Sequence, residues 1–271
     1  MDLTTITEIA QPRLNEPITD WRDGDAWLAG GTWLFSEPQP HLRRLIDLQS
    51  LGWEPLTITK NGLEIAATCK VAELFALEAP AGWIAAPLIR QCCLSFLSSF
   101  KIWNTATVGG NICMSLPAGP MTSLAAGLEG VCVIRQRDGN ARRVAIEDFV
   151  TGNHQNVLQP GDLLRRIDLP ATALQKRTAF RRMSLTHLGR STVLITGTLS
   201  PHDGVFMLAV SASTDRPFRF SFPQIPDALG LRARLQREIP EFFDDVHGTP
   251  DYRRHMTFHF AEQIRRELGG K

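Results

Sequence analysis

The chain has 271 residues, 43% hydrophobic and 21% charged, with 29 Lys+Arg against 28 Asp+Glu for a net charge of +1. That length and apolar content suit a soluble protein of about two domains with a substantial core. The balanced charge supplies no sustained positive field, which argues against a nucleic-acid partner, and no run approaches the ~18 apolar residues of a membrane span.

The N-terminal stretch "MDLTTITEIAQPRLNEP" has neither a basic region nor an apolar run, so it does not read as a secretory signal. The cysteines (Cys69, Cys92, Cys93, Cys113 and Cys132) are odd in number and lack ligand spacing. Reduced, buried thiols, a cytoplasmic location and no metal are the expectation.

In chain order, "AWLAGGTWL" (26–34) reads as a strand, a glycine turn and an irregular or helical start. A strand follows at "LRRLIDL" (42–48), another at "GLEIAATC" (62–69), and a short amphipathic helix at "VAELFAL" (71–77). "IAAPLIRQCCLSFLSSF" (84–100) has the spacing of one buried helix, leading into a second glycine turn at Gly109-Gly110. Pro120 opens a helix that Gly130 closes, and Val131 to Ile146 reads as a hairpin turning at Asp138-Gly139. From about Gly161, strands in succession ("DLLRRIDLP", "TAFRRMSL", "STVLITGTLS", "VFMLAVSAS") predict a meander of an α+β unit. A helix over 223–239 and a terminal helix complete the chain, the latter with Thr249 as N-cap, Pro250 in first position and Gly269 closing.

The two diglycine segments carry the chemistry. Consecutive residues without a Cβ can curve their amides into an anion-binding concavity, and Thr32, Thr107 and Asn111 stand beside them to add directed hydrogen bonds. Converging in space, they would hold a diphosphate through main-chain nitrogens. Neither segment fits the GxGxxG or Walker patterns. His255 and His259 are four apart on the terminal helix but lack a zincin carboxylate. No Ser-His-Asp or Cys-His arrangement stands out. The tryptophans near the glycine segments (Trp27, Trp33, Trp103) suit core packing or a subunit interface.

"LAGGTWL" and "KIWNTATVGGNI" resemble the two flavin-binding signatures of the FAD-binding medium subunit of the molybdenum hydroxylases, the family of xanthine dehydrogenases, aldehyde oxidoreductases and carbon monoxide dehydrogenases. "EDFVTGNHQNVLQPGDLLRRIDLP", "RPFRF" and "DDVHGTPDYRRHM" extend the likeness over nearly the whole chain, in the same order. The resemblance implies an α+β protein with a two-subdomain, PCMH/VAO-like FAD-binding fold over 1–170 and a smaller α+β C-terminal domain over 171–271. It implies FAD held by Ala29, Gly30, Gly31, Thr32 and Trp33 on one side and by Thr107, Val108, Gly109, Gly110 and Asn111 on the other. Leu164 and Arg181 fall where the family approaches the flavin ring. Trp33, Trp103, Pro120 and Leu185 depart from the family's usual residues. The resemblance further implies a heterotrimer. A molybdopterin-binding large subunit and a [2Fe–2S] small subunit would feed electrons to the flavin, which would pass them to NAD or another acceptor, and no side chain of this chain would act as base or nucleophile. A degenerate, non-catalytic scaffold subunit and a stand-alone flavin oxidoreductase are the alternatives.

Overall fold

The computed structural model describes residues 3–13 and 20–270; part of the N-terminal stretch read for a leader, and Lys271, lie outside the described residues. Strands β1 (Glu8–Ala10), β2 (Asp25–Leu28) and β3 (Arg44–Asp47) form a parallel sheet in the order β1-β3-β2. Arg44 pins this sheet from beneath. Its side chain is nearly buried and reaches both oxygens of Asp25 at 2.8 and 2.5 Å, so that guanidinium holds the Asp25 carboxyl below the usual carboxylate range.

The chain then runs through β4 (Leu56–Thr59), β5 (Gly62–Ala66), α1 (Val71–Phe75), α2 (Ala86–Leu94), α3 (Phe100–Trp103), α4 (Val108–Cys113) and α5 (Pro120–Gly127). It continues through β6 (Val131–Arg135), β7 (Ala141–Ala145), α6 (Ile146–Phe149), β8 (Val150–Gly152), β9 (Gln155–Asn156), β10 (Leu163–Pro170) and α7 (Ala171–Leu174). Strands β4, β5, β10, β6 and β7 form a five-stranded sheet in that spatial order. Its inner residues Leu63, Ile65, Ile134 and Ile167 pack with Leu74, Leu88, Ile89 and Ile112 of the helices. Each such buried aliphatic contributes about 1.5–3 kcal/mol.

The last part is an antiparallel meander of β11 (Arg177–Met183), β12 (Val193–Leu199), β13 (Phe206–Ser211) and β14 (Phe218–Phe222), backed by α8 (Ala228–Glu238) and α9 (Pro250–Leu268). A second apolar cluster fills the space between, with Phe206, Phe220, Leu235, Phe260 and Ile264 at its centre. In α9 the side chains of Met256, Phe260 and Ile264 are buried at steps of four, and Thr249 caps the helix by accepting from the Tyr252 amide. Helix α5 is the hinge of contact between the two clusters. Ser123 shares a buried hydrogen bond of 2.7 Å with Ser211, and Gly127 admits the Thr196 side chain where a Cβ would lie 2.5 Å from its hydroxyl.

Three sequence expectations change. Residues 84–100 are not one buried helix: α2 ends at Leu94, the chain breaks at Ser95–Ser99, and α3 starts only at Phe100, with Leu94 and Phe100 both exposed. The strand Leu163–Pro170 leaves the meander and inserts between β5 and β6, antiparallel to both. The segment read as a second glycine turn is helical.

Candidate functional site

A cavity of about 490 Å³ opens where the end of β2, the chain between α2 and α3, helix α4, the start of α5 and the loop before β12 meet. This lies within the roughly 300–1,000 Å³ typical of small-molecule sites. Residues Trp27 through Leu34 form one continuous wall of it.

That wall begins where β2 ends. Gly31 takes φ +69°, a left-handed conformation costly for any residue with a Cβ, and the chain folds into a single helical turn closed by the Phe35 amide on the Gly31 carbonyl at 2.9 Å. The first donors of a helical turn have no acceptor within it. The backbone N–H groups of Gly30, Gly31, Thr32, Trp33 and Leu34 accordingly donate to nothing else among the described residues, and the Thr32 hydroxyl has no partner there either. Five consecutive amides thus stand free on the cavity wall. The Trp33 ring lies 5.5 Å from that of His154.

The opposite segment is built differently. Thr107 caps α4, its hydroxyl accepting from the Gly110 amide at 3.0 Å. The amides of Val108 and Gly109 donate to Cys69 and Ala67 carbonyls at 2.8 and 3.0 Å, and that of Asn111 to the Thr107 carbonyl at 3.0 Å. Asn111 turns its side-chain oxygen to the Met121 amide at 3.1 Å, joining α4 to α5, while its side-chain nitrogen is left without an acceptor among the described residues. Every main-chain donor here is taken. What the segment offers the cavity is the smooth face of Gly110, the Asn111 amide group and its own close approach to the first turn. A Cβ on Gly30 would fall 2.0 Å from the Thr105 carbonyl oxygen, so the two segments meet backbone to backbone.

Of the twelve residues singled out from the sequence, Ala29, Gly30, Gly31, Thr32, Trp33, Thr107, Gly110 and Asn111 line the cavity together. Val108 and Gly109 stand behind the wall, Gly109 so tight on Ala67 that a Cβ would be 2.6 Å from its Cα. Leu164 is buried in the first core cluster on β10. Arg181 faces α9, bonded to Gln263 at 2.8 Å and Glu267 at 2.6 Å. Trp27 lines the cavity with its indole N–H on the Asp162 carbonyl, whereas Trp103 packs on Phe75 and donates to the Phe96 carbonyl, holding the Ser95–Ser98 stretch that forms the third wall. Cys113 also lines the cavity, and burial pushes its thiol up to about 12. Not foreseen from the sequence were the apolar lining residues Phe96, Leu97, Ile102 and Leu188, and Arg190, which lines the cavity with them. No cluster of three potential metal ligands occurs among the described residues.

The profile of the FAD binding domain in molybdopterin dehydrogenase matches residues 17–172. The chain belongs to that family. Its members are flavoprotein parts of oxidoreductases, and FAD is the cofactor the match indicates. The fold is shared with quinoline 2-oxidoreductase from Pseudomonas putida 86, at a TM-score of 0.81 and 20% identity over 100% of this chain and 99% of that one. It is shared equally with carbon monoxide dehydrogenase from Oligotropha carboxidovorans, at 0.81 and 19% identity over 97% of both chains. In sequence it is 27% identical over 125 residues to xanthine dehydrogenase 1 of Arabidopsis thaliana, covering 43% of this chain and 9% of that protein. It is 29% identical over 101 residues to caffeine dehydrogenase subunit beta of Pseudomonas sp. (strain CBB1), covering 37% of this chain and 34% of that one. The alignments therefore span well under two thirds of either relative. The lining residues suit FAD on their own terms: a row of amides without partners among the described residues suits the diphosphate, and the Thr32 hydroxyl and the Asn111 side-chain nitrogen, likewise without partners there, suit the polyol. No helix among the described residues is long and apolar enough to cross a membrane.

Proposed function

We propose that this chain is the flavin-carrying electron-transfer subunit of a heterotrimeric molybdenum hydroxylase. The observation behind the reading is the run of five amides from Gly30 to Leu34, without acceptors among the described residues, in the stretch that lines the cavity of a chain of the FAD-binding family. Those amides would hold the diphosphate, with Thr32 and Asn111 on the hydroxyls beside it. The apolar wall of Phe96, Leu97, Ile102 and Leu188 would exclude water around the ring. Residues 1–170 would form the flavin domain and 171–271 the domain that closes the cavity from the other side.

FAD bound there supplies one-electron acceptance and two-electron release, and the protein's task is to place and tune it. On this reading substrate is oxidised on a molybdopterin-binding large subunit and electrons arrive through a [2Fe–2S] small subunit. They leave to NAD or another acceptor, in the cytoplasm, where the free thiols of the chain persist. The test is to purify the chain with its native partners. A flavin absorption spectrum with one FAD per chain, and co-purification with a larger and a smaller subunit, are expected. A colourless chain in an intact complex would establish the scaffold reading instead, and a yellow chain oxidising a substrate alone would establish a stand-alone enzyme.

A further inference from the structure

Among the described residues, Arg190 is the one charged residue that lines the cavity, and no Asp or Glu lines it. It is exposed, and no hydrogen bond or ion pair joins it to another described residue. Its backbone, by contrast, is fixed on both sides. Arg182 reaches past it in a fork, Nε to the Ser191 hydroxyl at 2.8 Å and a terminal nitrogen to the Gly189 carbonyl. Thr192 donates its amide to the Met183 carbonyl at 2.8 Å and its hydroxyl to the His247 carbonyl at 2.6 Å. A cation whose main chain is held this firmly while its head is left without an anion is arranged for a ligand that brings the negative charge.

The surroundings choose which part of the ligand. The free amides that suit a diphosphate lie on the first turn, from Gly30 to Leu34. Arg190 comes from the loop before β12, in company with Leu188 and apart from that turn in sequence, and Phe96, Leu97 and Ile102 are among the cavity's large apolar residues. Such a wall suits a flat conjugated ring and not a phosphate. Resting on the reading that this cavity holds FAD, we infer that Arg190 is the charge-balancing residue for the isoalloxazine, stabilising the negative charge the ring carries when reduced. Arg182 is its positioning residue. Closure of the cavity around a ligand removes water from the guanidinium, which raises the value of the interaction above that of an exposed pair.

The experiment is a spectroelectrochemical titration of the FAD-loaded protein, paired with a fluorescence titration of oxidised FAD. For Arg190→Leu the expected result is a roughly tenfold loss in preference for the reduced form, a midpoint about 30 mV more negative for the two-electron couple, with oxidised-FAD affinity little changed. Arg190→Lys should restore most of the potential, and Arg182→Met should shift it in the same direction by less. An unchanged potential in Arg190→Leu overturns the inference, whether or not affinity falls; lost affinity alone assigns Arg190 to the diphosphate. If the wild-type chain neither retains nor rebinds FAD, the reading beneath the inference fails with it, an outcome distinct from an unshifted potential in a yellow variant.

Discussion

Gly30-Gly31 and Gly109-Gly110 look alike in sequence, each a diglycine with a threonine close by and both at the cavity, yet they use their glycines for opposite ends. In the first, a left-handed Gly31 launches one helical turn and leaves five amides without acceptors among the described residues. In the second, Thr107 caps a helix and all four amides from Val108 to Asn111 are consumed inside the protein. Gly109 is small because it abuts Ala67, and Gly30 is small because it abuts Thr105. A pair of glycines is therefore not by itself an anion site. The accounting of backbone donors decides which pair is.

The sharpest way to break this contrast is Gly30→Val. Its Cβ would collide with the main-chain Thr105 carbonyl, which cannot rotate away. We expect a destabilisation of about 3 kcal/mol in thermal unfolding and complete loss of bound flavin. Gly31→Ala comes next: the left-handed φ costs about 1–2 kcal/mol, and the new methyl would lie 2.4 Å from the Phe35 ring. Adding Phe35→Ala should relieve the ring clash and leave only the backbone cost, a recovery visible by denaturant titration. Thr107→Ala should cost about 1 kcal/mol through the lost cap, and Thr107→Ser much less, because the serine hydroxyl still accepts from Gly110. Gly110→Ala is the mildest. Its methyl would meet only the Thr107 hydroxyl, 2.8 Å away, so FAD affinity should fall by a smaller factor than in either first-turn variant. Equal losses for Gly31→Ala and Gly110→Ala in FAD titrations would erase the distinction between the two segments.

Local signals were legible and long-range ones were not. The terminal helix from Thr249 to Gly269, the Asp138-Gly139 hairpin and the strand before Gly30 rest on caps, turns and alternation, which act within a few residues. That Leu163–Pro170 inserts between β5 and β6 depends on partners some hundred and some thirty residues away in sequence, which no local pattern encodes. The helical state of Val108–Cys113 was hidden by the poor helix propensity of its two glycines, although Thr107, three residues before the Gly110 amide it caps, was a usable signal. Eight of the twelve expected site residues share the cavity because their motifs sit at element ends, where the chain must turn. Arg181 is set by the alternation of β11, which aims it at Gln263 and Glu267 of α9. Arg190 escaped notice because an arginine in a loop has no sequence mark to separate it from a solvated one.

The central claim, that main-chain nitrogens of the first turn hold the FAD diphosphate, is tested most directly by amide NMR spectra of the isotope-labelled chain with and without FAD. The account predicts large shifts and slowed hydrogen exchange for the Gly30 to Leu34 amides, with Gly109 and Gly110 little changed. FAD bound in full occupancy while the Gly30 to Leu34 amides keep their free-protein shifts would contradict it.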